Sequence, residues 1–98
     1  MRIVARRTLQ EFWKDGHARA EQPLRAWFAE VRAADWGSMA DIKARYAHAS
    51  IVDGERVVFN IGGNKYRLVA KVWFPGRTVW IKFVGTHEEY DEIDVGSL

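Results

Sequence analysis

The run Arg56-Val57-Val58-Phe59-Asn60-Ile61-Gly62-Gly63-Asn64-Lys65-Tyr66-Arg67-Leu68-Val69-Ala70-Lys71-Val72-Trp73-Phe74-Pro75-Gly76-Arg77-Thr78-Val79-Trp80-Ile81-Lys82-Phe83 decides the fold. Its apolar residues recur with a period of two, the signature of strands with one buried face. Gly62-Gly63-Asn64 and Pro75-Gly76 interrupt the pattern with residues that suit turns. Upstream, Asp53-Gly54 between Ser50-Ile51-Val52 and Glu55-Arg56-Val57 is a strong hairpin signal. The spacing predicts a four-strand antiparallel meander over about 49–52, 55–61, 65–74 and 78–85.

One face of that meander carries Val57, Phe59 and Ile61, then Tyr66, Leu68, Ala70, Val72 and Phe74, then Val79, Ile81 and Phe83. It is nearly unbroken and needs a cover. The other face carries Arg56, Val58 and Asn60, then Arg67, Val69, Lys71 and Trp73, then Trp80, Lys82 and Val84. A four-residue loop at Pro75-Gly76 sets Trp73 opposite Trp80 and Lys71 opposite Lys82, whereas a two-residue loop shifts these neighbours by one pair. Two like charges facing each other cost stability unless an anion lies between them. This alternation of cations with aromatics fits a phosphate-binding surface with rings for base stacking, and Arg56, Lys71, Trp73, Arg77, Trp80 and Lys82 are its candidate RNA contacts. The competing reading is a solvated face whose tryptophans pack under a terminal segment.

The cover lies upstream, where the period changes to that of helices. Thr8-Leu9-Gln10-Glu11 fits a capping box with Thr8 at the N-cap, and Asp15-Gly16 suits a helix end. A second helix starts within His17–Glu21 and runs to Ala34, with Ala20, Leu24, Trp27, Phe28 and Val31 on one side. Pro23 restricts where it can begin. Ser38 is placed to cap a short third helix bearing Met39, Ile42 and Tyr46. Met1–Ala5 reads as a short strand. Helices first and strands after make an α+β class, a single domain over residues 1–98 with an N-terminal helix pair packed on one face of an antiparallel sheet. Thr86, followed by Glu88 and Glu89, is expected to open a short C-terminal helix.

The 98 residues include no cysteine, which excludes disulfide scaffolds, thiolate metal sites and cysteine nucleophiles. No apolar run approaches the roughly 18 residues of a membrane span, and Met1–Arg7 lacks a signal peptide's apolar segment; a soluble cytoplasmic protein without membrane partners is expected. The net charge is only +2, but it is unevenly spread. Residues 1–50 hold nine Lys or Arg against six acids, residues 51–84 hold six against two, and residues 85–98 hold five acids and no Lys or Arg. A basic middle followed by an acidic end points to a polyanion-facing surface beside a solvating or regulatory segment.

Few residues suggest chemistry on their own. The Gly62-Gly63-Asn64-Lys65 run lacks the spacing of a phosphate loop and reads as a hairpin turn. His87, among carboxylates, can change charge near neutral pH. His17 and His48 lie far from it in sequence, no metal-ligand spacing is visible, and no cofactor is expected. Ser38, Ser50 and Ser97 make no legible nucleophile triad.

Two strings in this half resemble the HigB family of bacterial toxins: Val58 to Ala70, and Val79-Trp80-Ile81-Lys82-Phe83-Val84-Gly85-Thr86-His87-Glu88-Glu89-Tyr90-Asp91. The resemblance covers residues 56–94 and the helical half in outline. It implies a RelE-like fold and a type II toxin–antitoxin module. Such toxins cut mRNA, typically on the translating ribosome. A helix-turn-helix antitoxin, HigA-like, neutralises them and binds the DNA, which the toxin reaches only indirectly. Arg67, in the Tyr-Arg-Leu-Val string, matches the arginine that holds the scissile phosphate. His87 and Tyr90 fall where related toxins carry catalytic or basic groups, and Lys65 and Lys82 match positions usually basic. The resemblance thus implies a metal-independent endoribonuclease with Arg67, His87, Lys65 and Tyr90 as catalytic residues. The residues alone also accommodate a non-catalytic RNA-binding module, or an interaction protein that accepts an antitoxin segment and does nothing else.

Overall fold

The computed structural model describes residues 1–98 as four helices and a five-stranded sheet. In chain order these are β1 (Arg2–Val4), α1 (Arg6–Lys14), α2 (Glu21–Ala33), α3 (Met39–Arg45), β2 (Ser50–Ile51), β3 (Arg56–Ile61), β4 (Tyr66–Trp73), β5 (Thr78–Thr86) and α4 (His87–Asp91). The sheet order is β1-β5-β4-β3-β2. The meander β2 to β5 is antiparallel as expected, but β1 pairs with β5 in parallel, so the sheet is mixed. The strand at the chain start lies beside the last one, and α1 to α3 with β2 to β4 between them supply the long connection a parallel neighbour requires.

Local chemistry accounts for most boundaries. Gly16 ends α1 with a positive φ of 81°. A 3-10 turn over Ala18–Ala20 leads into α2, whose first turn holds Pro23, where a missing N–H costs nothing. The Ser38 hydroxyl accepts from the Asp41 N–H at 3.4 Å and caps α3. At the hairpin, Asp53 Oδ1 accepts from the Glu55 and Arg56 N–H groups at 2.8 and 2.9 Å. The expected Thr8 cap does not form. The helix starts three residues earlier, behind Ala5 in a left-handed conformation, so Thr8 lies inside the first turn. Glu11 pairs instead with Arg7 one turn back, at 2.9 Å.

One buried cluster joins Leu9 and Trp13 of α1, Leu24, Trp27 and Val31 of α2 and Ile42 of α3 to Val57, Phe59, Leu68, Ala70 and Val79 of the sheet. Phe59 is its hub: the Trp27 ring lies 5.3 Å away, that of Tyr46 5.1 Å and that of Trp36 6.4 Å. No helix is long and apolar enough to cross a membrane.

Two register expectations are corrected. The loop after β4 leaves Trp73 opposite Thr78 and Lys71 opposite Trp80, so the like-charged pair Lys71–Lys82 does not face itself. Further along, Val69 pairs with Phe83 while Ala70 pairs with Ile81. Lys82 is therefore an extra residue, a β-bulge. Beyond it the parity of β5 reverses. Val84, opposite Leu68, packs against the core, and Phe83 turns to the other face.

Candidate nucleic-acid interface

The face away from the core is built in rows by strand pairing. Asn60, Arg67 and Gly85 form the first row, Val58, Val69 and Phe83 the second, and Arg56, Lys71 and Trp80 the third. Gly85 is required by this arrangement: a Cβ there would meet Phe83 Cζ at 2.5 Å. Val58 and Val69 are 3% and 0% exposed although they alternate away from the core. The segment after Thr86 begins beside Lys65, whose carbonyl accepts from the His87 N–H at 3.2 Å. It ends where Arg56 Nε donates to the Leu98 carbonyl at 2.9 Å, so it crosses the middle row. The face is thus divided into two ends rather than left open throughout.

The first end brings Lys65 and Arg67 to the start of α4, where His87 stands, with Tyr90 three residues further along that helix. The pairing of Tyr66 with Thr86 brings the start of β4 to the start of α4. Arg67 Nη1 donates to the Asn64 carbonyl at 3.0 Å and to the Tyr66 carbonyl at 3.3 Å, which fixes the guanidinium beside the turn. That turn has three successive left-handed residues, Gly62, Gly63 and Asn64. In α4, Thr86 and Glu89 form a reciprocal capping box. The Thr86 N–H, bonded to the Glu89 carboxylate, holds that carboxyl below the usual range, helped by the Thr86 hydroxyl and the nearby His17 charge. His87 Nδ1 lies 3.2 Å from Asp91 Oδ2, and half of its side chain is exposed.

The second end carries Arg56, Lys71, Trp73, Trp80 and Lys82. Its arginine is engaged: Arg56 is bonded to Asp53 at 2.8 Å as well as to Leu98, with its side chain 17% exposed. Lys71 pairs with Glu55 at 3.6 Å. Trp73 is 56% exposed. A hollow of about 320 Å³ lies between Lys71, Trp73, Trp80 and Lys82. Arg77 is not brought to either end. It sits in the loop before β5 with Nε 2.6 Å from Asp35, on the linker between α2 and α3. The candidate cations therefore separate physically: Arg56, Lys71 and Arg77 each have a carboxylate, whereas Lys65, Arg67 and Lys82 have none.

Beside the first end is a cavity of about 620 Å³ lined by Arg45, Tyr46, His48, Asn60, Gly63 and Asn64. The cavity was not legible in sequence, because the loop carrying His48 reaches it only through tertiary contacts. Lys43 Nζ donates to the Ala47 and Ala49 carbonyls at 2.7 and 2.8 Å, and Asn60 Nδ2 donates to the His48 carbonyl at 3.3 Å. Tyr46 closes one wall. Its hydroxyl donates to Glu30, and burial followed by that contact pushes its pKa well up. No three His, Asp or Glu side chains converge in a set that would hold a metal.

The architecture is α+β, four helices with a five-stranded mixed sheet, and is consistent with a RelE-like domain. The chain belongs to the family described as "HigB_toxin, RelE-like toxic component of a toxin-antitoxin system", whose profile matches residues 20–93. Among curated proteins it is similar to the "mRNA interferase toxin HigB" of Escherichia coli K12, with 53% identity over 34 residues. The "mRNA interferase HigB" proteins of Escherichia coli O157:H7 and Shigella flexneri match equally. The aligned stretch covers 35% of this chain and 33% of each relative, so the chain spans about a third of the curated relatives it matches.

Proposed function

We propose that this protein is an mRNA endoribonuclease, the toxin of a type II toxin–antitoxin module, working without a metal. The observation that carries the reading is the first end of the sheet face. There Arg67 and Lys65 stand without carboxylate partners at the junction with the helix that carries His87 and Tyr90, in a chain of the HigB toxin family.

The chemistry uses the RNA's own nucleophile. The 2′-oxygen attacks the adjacent phosphorus, its proton leaves to a base, and the P–O5′ bond breaks as the 5′-oxygen takes up a proton. The products are a 2′,3′-cyclic phosphate and a 5′-hydroxyl. Charge builds on the non-bridging oxygens, where the fixed Arg67 guanidinium donates and Lys65 adds its field; Lys82, expected to join them, lies instead with Lys71 and Trp80 at the other end. His87 serves as the acid or the base, with Asp91 orienting its ring, and Tyr90 on the same helix completes the group. Trp73 and Trp80, with Arg56, Lys71 and Lys82, form a second contact region for the strand; Arg77 belongs to it only if its Asp35 pair opens. The substrate is mRNA on the ribosome, which contributes positioning, and the partner is a helix-turn-helix, HigA-like antitoxin.

The test is cleavage of a defined transcript, free and in programmed ribosomes, with excess chelator. Cutting is expected to persist under chelation and to stop when the cleavage-site nucleotide is 2′-O-methylated. Cutting of the methylated substrate overturns the mechanism. Growth arrest without cleavage in either setting favours the non-catalytic RNA-binding reading, and harmless high expression favours a pure interaction module.

A further inference from the structure

We infer that the cavity between the α3–β2 loop and the β3–β4 turn is a nucleobase pocket, which selects the nucleotide adjoining the phosphate held by Arg67. This rests on the reading of RNA as substrate. The cavity's charge argues first. Arg45 lines it, but Nη2 lies 2.8 Å from Glu30 and the guanidinium stacks over Tyr46 at 5.0 Å, so no free cation faces the space. An anion gains little there. What remains are hydrogen-bonding side chains: the His48 ring, the Asn64 amide, and the Asn60 carbonyl oxygen with its second N–H. Amides and a flat ring are the groups that read and stack an unpaired RNA base.

Position argues second. Asn60 is the direct cross-strand partner of Arg67, and Asn64 gives its carbonyl to Arg67 Nη1. A base seated against Asn60 and Asn64 therefore places its own phosphate near the guanidinium that has no carboxylate. Size argues third, since about 620 Å³ lies within the range of small-molecule sites, roughly 300–1,000 Å³. Rigidity argues last. Lys43 ties the loop from one side through two carbonyls and Asn60 ties it from the other, so the imidazole stands on a fixed support. A pocket ordered in advance loses less on binding.

The experiment titrates isotope-labelled protein with the four nucleosides and the four nucleoside 3′-monophosphates, followed by NMR. At least one base is expected to shift the side-chain amides of Asn60 and Asn64 and the ring of His48, and to bind several-fold tighter than the others. His48→Ala should weaken it by about tenfold, and His48→Phe, which keeps a stacking face, should restore it. Arg67→Ala should weaken the monophosphates but not the nucleosides. In the transcript assay, Asn60→Ala should redistribute cut sites among sequences. Shifts confined to Trp73 and Trp80, or His48→Ala binding as tightly as the parent, overturn the pocket even if the RNA is cut. Base-selective shifts in a protein that cuts nothing sustain the pocket and overturn the nuclease.

Discussion

Arg67 owes its position to parity. Tyr66 and Leu68 on either side point to the core, so the guanidinium must point away from it, and two backbone carbonyls then settle its direction. Replacing it with alanine removes a donor from the proposed site without opening a cavity. Cleavage is expected to fall by about 10²–10³-fold, with circular dichroism and melting nearly unchanged. Arg67→Lys should recover little of the loss, because an ammonium lacks the planar fork that grips a phosphate from two sides. The comparison is a rate assay of the three proteins at equal concentration; a lysine variant as fast as the parent would assign the role to charge alone. His87→Gln keeps the ring's approximate reach but carries no titratable proton. A loss of about 10²–10⁴-fold is the expectation for an acid or base, and a smaller one moves that role to Tyr90 or Lys65.

At the scale of elements, α4 depends on its cap. Five residues hold too few internal hydrogen bonds to persist alone, and Thr86 with Glu89 compensates. Thr86→Ala is expected to weaken that helix by about 1 kcal/mol and, since His87 follows it directly, to slow cleavage while global melting barely moves. Acid should act on the same cap. The Glu89 carboxyl titrates lower in the folded chain than in the unfolded one, so its contribution is full above the ordinary glutamate value and fades as pH falls. Protection of the amides in 87–91, relative to their intrinsic exchange, should therefore weaken as pH falls below the ordinary glutamate range, before the sheet amides follow. Thr86 as a cap was legible in sequence because caps are local: Thr86 and Glu89 are three residues apart, as are Ser38 and Asp41, although the reciprocal bond of Glu89 was not read. The Thr8 box failed for an equally local reason, the left-handed Ala5 that starts α1 early. The row of Val57, Phe59 and Ile61 was legible because alternation survives any register. The order of residues beyond Lys82 was not, because no period announces an inserted residue. Nor was the His48 cavity, whose walls lie on three elements and meet only after folding.

At the scale of the whole molecule, Phe59 connects what the chain order separates. Its ring meets Trp27 of α2, Trp36 of the linker and Tyr46 beyond α3. Phe59→Ala is expected to cost about 3–5 kcal/mol and to lower the melting temperature by more than about 10 °C. Helix and sheet signals in circular dichroism should be lost together in one transition. Helix loss at a lower temperature than sheet loss would mean that the layers are held by other contacts. The same connection positions the candidate site, since Tyr46 packs on Phe59 on one side and walls the cavity on the other.

Lys82 has a consequence for how this chain tolerates change in length. A bulge acts as a counter: every residue after it is assigned to a side of the sheet by whether the tally behind it is odd or even. Deleting Lys82 alone would remove the extra count: Ile81, opposite Ala70, would be followed directly by Phe83, opposite Val69, and every later residue would keep its present partner and side. Phe83 would stay outward, Val84 inward and Gly85 beside the ring. The single-residue deletion should therefore melt close to the parent, as should Lys82→Ala, which alters one exposed side chain. A deletion that abolishes the melting transition would show that the bend of the bulge, and not the alternation, is what β5 requires.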